Sequence, residues 1–319
     1  MPPTNPILLS SASAAPQAEL FLAENFYNSI LKNFENQAQK QQNQEELLDI
    51  EGVATPFVKW VGGKRSIVEL LTARMPIKFN QYWEPFTGGG ALFFELQEDL
   101  AQSYLSDTNF DLIITYKIIQ RDPTPLLEAL KIHAQNHGEE YYYSVRKQHA
   151  LQDPIAIAAR FVYLNRTCYN GLWRVNSKGE FNVPFGRYTN PKIVQTNNLW
   201  ACHHALQKVD IRFGGFQEIT PQAGDFVYFD PPYHPTDETS FTKYSKSDFT
   251  ETDQVSLKNF AATLSANHVH VMISNSDTQF IRSIYLEAGF KIATIQAPRF
   301  VNCKAEKRHA VNEVVITNY

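Results

Sequence analysis

From Thr55 onward, apolar runs of strand length alternate with segments whose apolar residues recur every three to four positions. Tyr82-Trp83-Glu84-Pro85-Phe86 runs into glycines and then into Ala91-Leu92-Phe93-Phe94-Glu95-Leu96, which predicts strand, tight turn and helix. A short strand over 103–106 ends at Asp107, and 111–120 reads as a helix. Residues 123–166 are helix-rich, after which Asn170-Gly171 and the 181–188 segment introduce hairpin chemistry. Phe226-Val227-Tyr228-Phe229 is a buried type of strand. A helix over 250–267 opens on a Thr250 and Asp253 capping pair, and a strand over 268–274, a helix over 280–288 and a strand over 313–318 follow. Strands alternating with helices on both sides of a helical and hairpin insertion predict an α/β fold with a doubly wound, mostly parallel sheet. The expected division is a main domain from 53–122 and 216–319, with the insertion at 123–215.

Residues 1–52 do not follow this pattern. Pro, Ser and Ala dominate their start, and 36–46 is a Gln/Asn-rich tract with too little apolar surface to fold alone. Between them Leu22, Phe26, Ile30 and Phe34 recur every four residues and would line one helix face. A poorly ordered leader with a transient helix and a docking helix both fit. No internal repeat is present.

Composition narrows the class. At 319 residues the chain can bury a sizeable core, and 43% hydrophobic with 19% charged residues is a soluble globular balance. Every apolar run is far shorter than the ~20 residues a membrane span needs. No Lys or Arg precedes the short Ile7-Leu8-Leu9 run, which argues against a secretory signal. Cys168, Cys202 and Cys303 are odd in number and far apart, which disfavours disulfides or a zinc site and fits a reducing cytoplasm. A net charge of −4 predicts no blanket affinity for polyanions, so only a local cationic stripe could bind nucleic acid. Arg299, Lys304, Lys307 and Arg308, with Arg166, Lys178, Arg187 and Lys192, are candidates for one; a solvated loop is the plainer reading.

Phe86-Thr87-Gly88-Gly89-Gly90 lies where strand becomes helix, where glycines let the backbone approach a ligand. Asp107, ending the next strand, is spaced to accept from a ribose diol, which suits a nucleoside-containing cofactor. The pyrophosphate fingerprint needs a small residue where Phe93 stands, so NAD or FAD is disfavoured. Lys59-Trp60-Val61-Gly62-Gly63-Lys64-Arg65 fails as a P-loop, because Val58 and Arg65 replace its first glycine and its hydroxyl residue. Asp230-Pro231-Pro232-Tyr233 directly follows a buried strand, at the sheet edge where ligands bind in this architecture. A carboxylate and the Pro231 carbonyl can accept both protons of an exocyclic amine, and Tyr233 offers a ring for a planar base. His203-His204 lacks spaced partners for a metal, and Tyr141-Tyr142-Tyr143 reads as helix packing. No resident metal is expected.

In this order, with the block Asn165-Arg166-Thr167-Cys168-Tyr169-Asn170-Gly171-Leu172-Trp173-Arg174 through Phe181-Asn182-Val183-Pro184-Phe185-Gly186-Arg187-Tyr188, the sequence resembles the Dam-like, D12-class DNA adenine-N6 methyltransferases of the alpha arrangement. The resemblance covers 56–319, and the leader departs from it. It implies a Rossmann-like class I methyltransferase fold, S-adenosylmethionine as cofactor and double-stranded DNA as partner, with GATC as the expected target. It implies cofactor contacts from Trp60, Lys64, Asp107 and Asp230, with the turn of Phe86, Gly88 and Gly90 beneath the cofactor. Asp230, the Pro231 carbonyl and Tyr233 would hold the target adenine. Tyr169, Asn170, Leu172, Arg174 and Pro184 match positions that meet bases, and Lys59 one near phosphate or an outer base. Arg174 is best suited to read a guanine edge bidentately. A monomeric enzyme is expected. Cytosine-N4 methylation and sequence-specific DNA binding without catalysis remain as rivals, whereas base deamination lacks its zinc set. His234 receives no interpretation.

Overall fold

Strands that are apolar on both faces must be covered by helices on both faces, and this sheet follows that rule. The computed structural model describes residues 29–30, 52–149, 151–236, 249–297 and 311–319. The expected leader helix lies outside the described residues except at Ser29 and Ile30, which are helical. Arg299, Lys304, Lys307, Arg308 and Cys303 also lie outside them. The chain divides after Glu45, and every element named below belongs to the second unit, Glu46–Tyr319.

The strands are β1 (Tyr82–Glu84), β2 (Ser103–Asp107), β3 (Val209–Phe213), β4 (Phe226–Phe229), β5 (His270–Ser276), β6 (Lys291–Ala297) and β7 (Val311–Thr317). They form a seven-stranded sheet in the order β3-β2-β1-β4-β5-β7-β6. The first five are parallel, and β7 runs antiparallel to both β5 and β6. This is the Rossmann-like, doubly wound sheet the alternation predicts. Because β2 and β3 extend away from one edge of β1 and β4 returns to the other, the order reverses between β1 and β4. That reversal opens a crevice beyond their carboxyl ends.

The helices are α1 (Val68–Thr72), α2 (Ala91–Leu96), α3 (Phe110–Arg121), α4 (Thr124–Gln135), α5 (Glu139–Arg146), α6 (Pro154–Thr167), α7 (Thr196–Ala205), α8 (Glu251–Ala266) and α9 (Gln279–Glu287). Caps set several starts: Asn109 accepts from the Leu112 N–H at 3.0 Å, Asp153 from Ala156 at 2.7 Å, and Thr250 and Asp253 form the expected capping box. On one face of the sheet Val227, Phe229, Val271 and Ile273 pack with Leu257, Ala261, Ile281 and Tyr285 of α8 and α9. The nearly wholly buried α6 packs against α3, α4 and α5.

Two expectations change. β3 lies inside the 123–215 segment assigned to the insertion, yet its five residues pair with β2 and place it in the sheet. The insertion therefore stops before β3. The hairpin expected around 170–188 is not a ladder; isolated bridges join Cys168 to Phe185 and Val175 to Phe181. Asn170 and Gly171 are both left-handed, at φ 55° and 64°, and coil the chain into a 3-10 turn over Tyr169–Gly171. Pro184 has no N–H to give, and the Val183 carbonyl is taken by Tyr142 Oη at 2.9 Å and Arg146 at 3.1 Å, so pairing cannot propagate. Tyr142, fully buried, is helix packing as expected. His203 Nδ1 lies 3.0 Å from the Ile119 carbonyl, a bond joining α7 to α3.

Candidate active site

The crevice is lined first by the glycine turn after β1. Gly88 and Gly90 are left-handed, at φ 47° and 65°, a region that costs a side-chain-bearing residue ~1–2 kcal/mol. A Cβ on Gly88 would lie 2.5 Å from the Trp60 ring, and one on Gly90 2.7 Å from Tyr116 Oη. The protein's own packing thus requires both glycines: Trp60 covers Gly88, and Tyr116 donates to the Gly88 carbonyl at 3.1 Å. Phe86 turns its ring into an aromatic cluster with Phe216 and Phe249, 5.5 and 5.7 Å between centroids.

Asp107 ends β2 beside this turn. Its carboxylate accepts from the Gly88 N–H at 2.9 Å and the Asn109 N–H at 2.8 Å. Burial raises its pKa while those backbone bonds oppose the rise. Two bonds leave acceptor capacity on both oxygens, so the group fits a vicinal diol and, with the glycine turn, a nucleoside cofactor.

Across the crevice Asp230 follows β4 and forms an ion pair with Lys64, Nζ to Oδ1 2.7 Å. Lys64 is 5% exposed, and its ammonium also donates to the Gly62 carbonyl and lies 4.7 Å from the centre of the Tyr233 ring. Burial raises the Asp230 pKa, Lys64 opposes it and Glu313 adds to it. The ammonium therefore occupies the Asp230 carboxylate and one face of the Tyr233 ring at once. Tyr233 Oη donates to Glu313 Oε2 on β7 at 2.8 Å. His234, left without interpretation in the sequence, lies 4.8 Å from Phe280 ring to ring, with Nε2 3.1 Å from Glu251.

Beneath these groups Glu84 ends β1, 3% exposed, and accepts from Tyr82 Oη at 2.7 Å. Burial pushes its pKa up to about 8, against the Tyr82 bond; the Asp230 charge adds to the rise. Trp60, Lys64, the glycine turn, Asp107, Asp230 and Tyr233 thus meet in one crevice, although Trp60 and Tyr233 are 173 positions apart.

The second set gathers around the 3-10 turn after α6. Tyr169 N–H donates to the Pro184 carbonyl at 2.8 Å, and Tyr169, Asn170, Arg174 and Pro184 are all exposed. Leu172 is half-buried, its carbonyl accepting from Cys168 Sγ at 3.2 Å. Arg174 Nε donates to Asn182 Oδ1 at 2.7 Å. Lys59 joins this set: its stem crosses Gly171, where a Cβ would lie 2.5 Å from it, and its ammonium lies 4.1 Å from the Tyr188 ring centre.

Buried Asn165 ties the Lys59 backbone, next to Trp60 of the crevice, to the 3-10 turn. It accepts from Lys59 N–H at 2.8 Å and donates to the carbonyls of Lys59 at 2.7 Å and Gly171 at 3.3 Å. Arg166 does not supply the expected cationic channel. Its guanidinium is spent on the Phe57 carbonyl and on Gln195, and burial pushes its pKa down to about 10. Glu84, Glu313, Gln254 and Asn275 went unnoticed in the sequence. The polar run Ser274-Asn275-Ser276, directly after the apolar Val271-Met272-Ile273, is a signal for the last.

Asp107 with its glycine turn and the Asp-Pro-Pro-Tyr turn face each other across the switch point of an α/β sheet, an arrangement suited to a nucleoside cofactor and a planar amine. Comparison with known proteins gives the family. Residues 60–299 match the model of D12 class N6 adenine-specific DNA methyltransferases, and the chain belongs to that family. It is 40% identical over 274 residues to the type II methyltransferase M1.LlaDCHI of Lactococcus lactis subsp. cremoris, covering 83% of this chain and 95% of that protein. Identity is also 40% over 287 residues to the type II methyltransferase M.MjaIII of Methanocaldococcus jannaschii, covering 83% and 99%. With the DNA adenine methylase of Escherichia coli K12 it is 34% over 268 residues, covering 81% and 93%. The chain is an adenine-specific DNA methyltransferase.

Proposed function

We propose that the protein transfers a methyl group from S-adenosylmethionine to adenine N6 within GATC in duplex DNA, on a base turned out of the helix. The observation that carries this reading is the placement of Asp230 and Tyr233 at the carboxyl edge of β4, opposite the glycine turn and Asp107. A target nitrogen inside a duplex cannot reach a crevice of this kind, so the base has to be extruded and captured by stacking. Trp60, Lys64, the turn of Phe86, Gly88 and Gly90, and Asp107 hold the cofactor, which when bound supplies an electrophilic methyl group on a sulfonium.

The chain's own residues do the rest. Once Lys64 leaves Asp230, the carboxylate and the Pro231 carbonyl accept hydrogen bonds from the two N6–H groups, and Asp230 takes up the one proton that N6 sheds as it gains the methyl group. Those bonds favour a tetrahedral nitrogen whose lone pair is otherwise delocalised into the ring, and aim it for in-line transfer. The Tyr233 ring, its hydroxyl fixed by Glu313, supports the base. No nucleophile of the protein takes part. The insertion, which stops before β3, reads sequence through Tyr169, Asn170, Leu172, Arg174 and Pro184, with Lys59 at an outer base or phosphate. Arg174, exposed on its loop, suits a guanine edge.

Incubation of the protein with labelled S-adenosylmethionine and unmethylated DNA, followed by base-resolved mapping, tests the proposal. N6-methyladenine confined to GATC is expected. N4-methylcytosine, or label spread over adenines in every context, refutes it.

A further inference from the structure

The 230–234 turn is not held by its own sequence. Its two prolines fix φ at 231 and 232, but ψ, and with it the direction of each carbonyl, stays free. Those directions are set from outside by two amides that are 0% exposed, Gln254 in the first turn of α8 and Asn275 near the end of β5. Gln254 Nε2 donates to the Pro232 carbonyl at 2.9 Å, and its Oε1 accepts from Asn275 Nδ2 at 3.0 Å. Asn275 Oδ1 in turn accepts from the His234 N–H at 3.0 Å and from the Ser276 N–H at 2.9 Å. Ser276 Oγ donates to the His234 carbonyl. One continuous chain of bonds thus grips the backbone on both sides of Tyr233, whose hydroxyl is fixed separately by Glu313.

A pair of apolar side chains of the same volume would fill this space but leave the Pro232 carbonyl and the His234 and Ser276 N–H groups without these partners. What amides add is direction, and the direction here is delivered to the backbone that carries the chemistry. We propose that Gln254 and Asn275 are positioning residues for methyl transfer: their relay holds the 230–234 backbone so that the Pro231 carbonyl and the Tyr233 ring meet the extruded adenine in reactive geometry. The inference rests on the adenine-N6 reading of the site. Neither residue touches the substrate. Because a misplacement near 1 Å costs a transfer reaction about 10²-fold, the relay acts on the chemical step rather than on DNA affinity.

Two variants of the full chain test this. Gln254→Met removes both relay bonds at nearly constant volume. Gln254→Glu keeps the acceptor for Asn275 but turns a carboxylate toward the Pro232 carbonyl. Single-turnover methylation, equilibrium DNA binding, capture of a 2-aminopurine placed at the target position, and thermal unfolding are measured for each. Gln254→Met is expected to lower the single-turnover rate by ~10–100-fold and weaken 2-aminopurine capture, with DNA affinity within about twofold of wild type. Gln254→Glu is expected to be as slow near about pH 8 and to recover toward about pH 6, because a buried carboxyl that regains its proton again donates to Pro232. A merely structural defect would not recover with acid.

Wild-type rates in both variants, or a Gln254→Glu profile parallel to that of the wild type, overturn the relay. Should Gln254→Met not fold, the Gln254→Glu profile alone decides. A wild-type protein that forms no N6-methyladenine refutes the reading of the site, and the relay with it. An active wild type with unaffected variants refutes the relay alone.

Discussion

Tyr233 and Arg174 are both polar side chains proposed to meet DNA, and the protein builds their surroundings in opposite ways. Around Tyr233 the hydroxyl is bonded to Glu313, and the backbone on either side to Gln254 and Asn275. Around Arg174 the chain is an exposed loop with isolated bridges, and the guanidinium bonds Asn182 of the same loop. The first arrangement suits a reaction in which ångström displacements decide the rate. The second suits recognition, where side chains exchange water and local partners for base edges at little cost. The crevice should therefore respond to substitution in rate and stability, and the loop in sequence preference.

The contrast is expected to be largest in stability against pH. The Glu84 carboxyl is pushed up to about 8 by burial, above its ordinary 4.5. For an acid raised on folding, the folded state binds more protons than the unfolded one between those values, so this group's contribution to stability is fully present below about 4.5 and is lost as pH rises toward 8. Melting temperature should drop across that window by the equivalent of a few kcal/mol, and Glu84→Gln should flatten much of the slope. Glu180 in the loop has its pKa lowered, first by its bond from Asn176, and its side chain is 40% exposed. Glu180→Gln should leave the slope unchanged.

Next in size is catalysis. Asp230→Ala removes an acceptor for the target amine and should reduce methyl transfer by at least ~10²-fold while duplex binding survives. Quench-flow methylation beside a binding titration checks both halves.

The glycines give a smaller, purely structural contrast. Gly88 and Gly179 are both left-handed, at φ 47° and 77°, but an added Cβ meets Trp60 at the first and nothing within 4 Å at the second. Both alanine variants incur the backbone cost. Gly88→Ala should lose a further ~1–3 kcal/mol from overpacking, read from denaturant midpoints. Equal midpoints would mean that Trp60 yields freely and that the crevice is softer than its contacts imply.

Much of this was legible because it is local. The strand, glycine turn and helix at 82–96, the Asp-Pro-Pro-Tyr turn on its apolar strand and the Thr250 capping box each declare themselves within about a dozen residues. β3 carries a strand signal, since Val209, Ile211 and Phe213 alternate with Asp210 and Arg212, yet it lies where the insertion is expected. β6 was not, since Ile292 and Ile295 in Lys291–Ala297 do not alternate and pairing with β7 supplies what the pattern lacks. Glu313 lies 80 residues from Tyr233 and Asn275 41 from His234, so only the folded sheet brings them together. Arg166 illustrates the opposite error, a cation that looks like a phosphate ligand until folding occupies it with the Phe57 carbonyl.

Separation of chemistry from recognition is tested most directly by single-turnover methylation rates of wild type, Asp230→Ala and Arg174→Ala. The duplexes carry GATC or one altered base pair each, at fixed salt. Asp230→Ala should slow all duplexes by a common factor and keep their ranking. Arg174→Ala should erase ~1–3 kcal/mol of discrimination, about 5- to 150-fold, at one guanine and leave the other positions ranked as before. If Arg174→Ala instead slows every duplex equally, Arg174 contacts the DNA backbone and the loop does not read sequence through it. If Asp230→Ala turns over near the wild-type rate, the crevice does not perform the transfer.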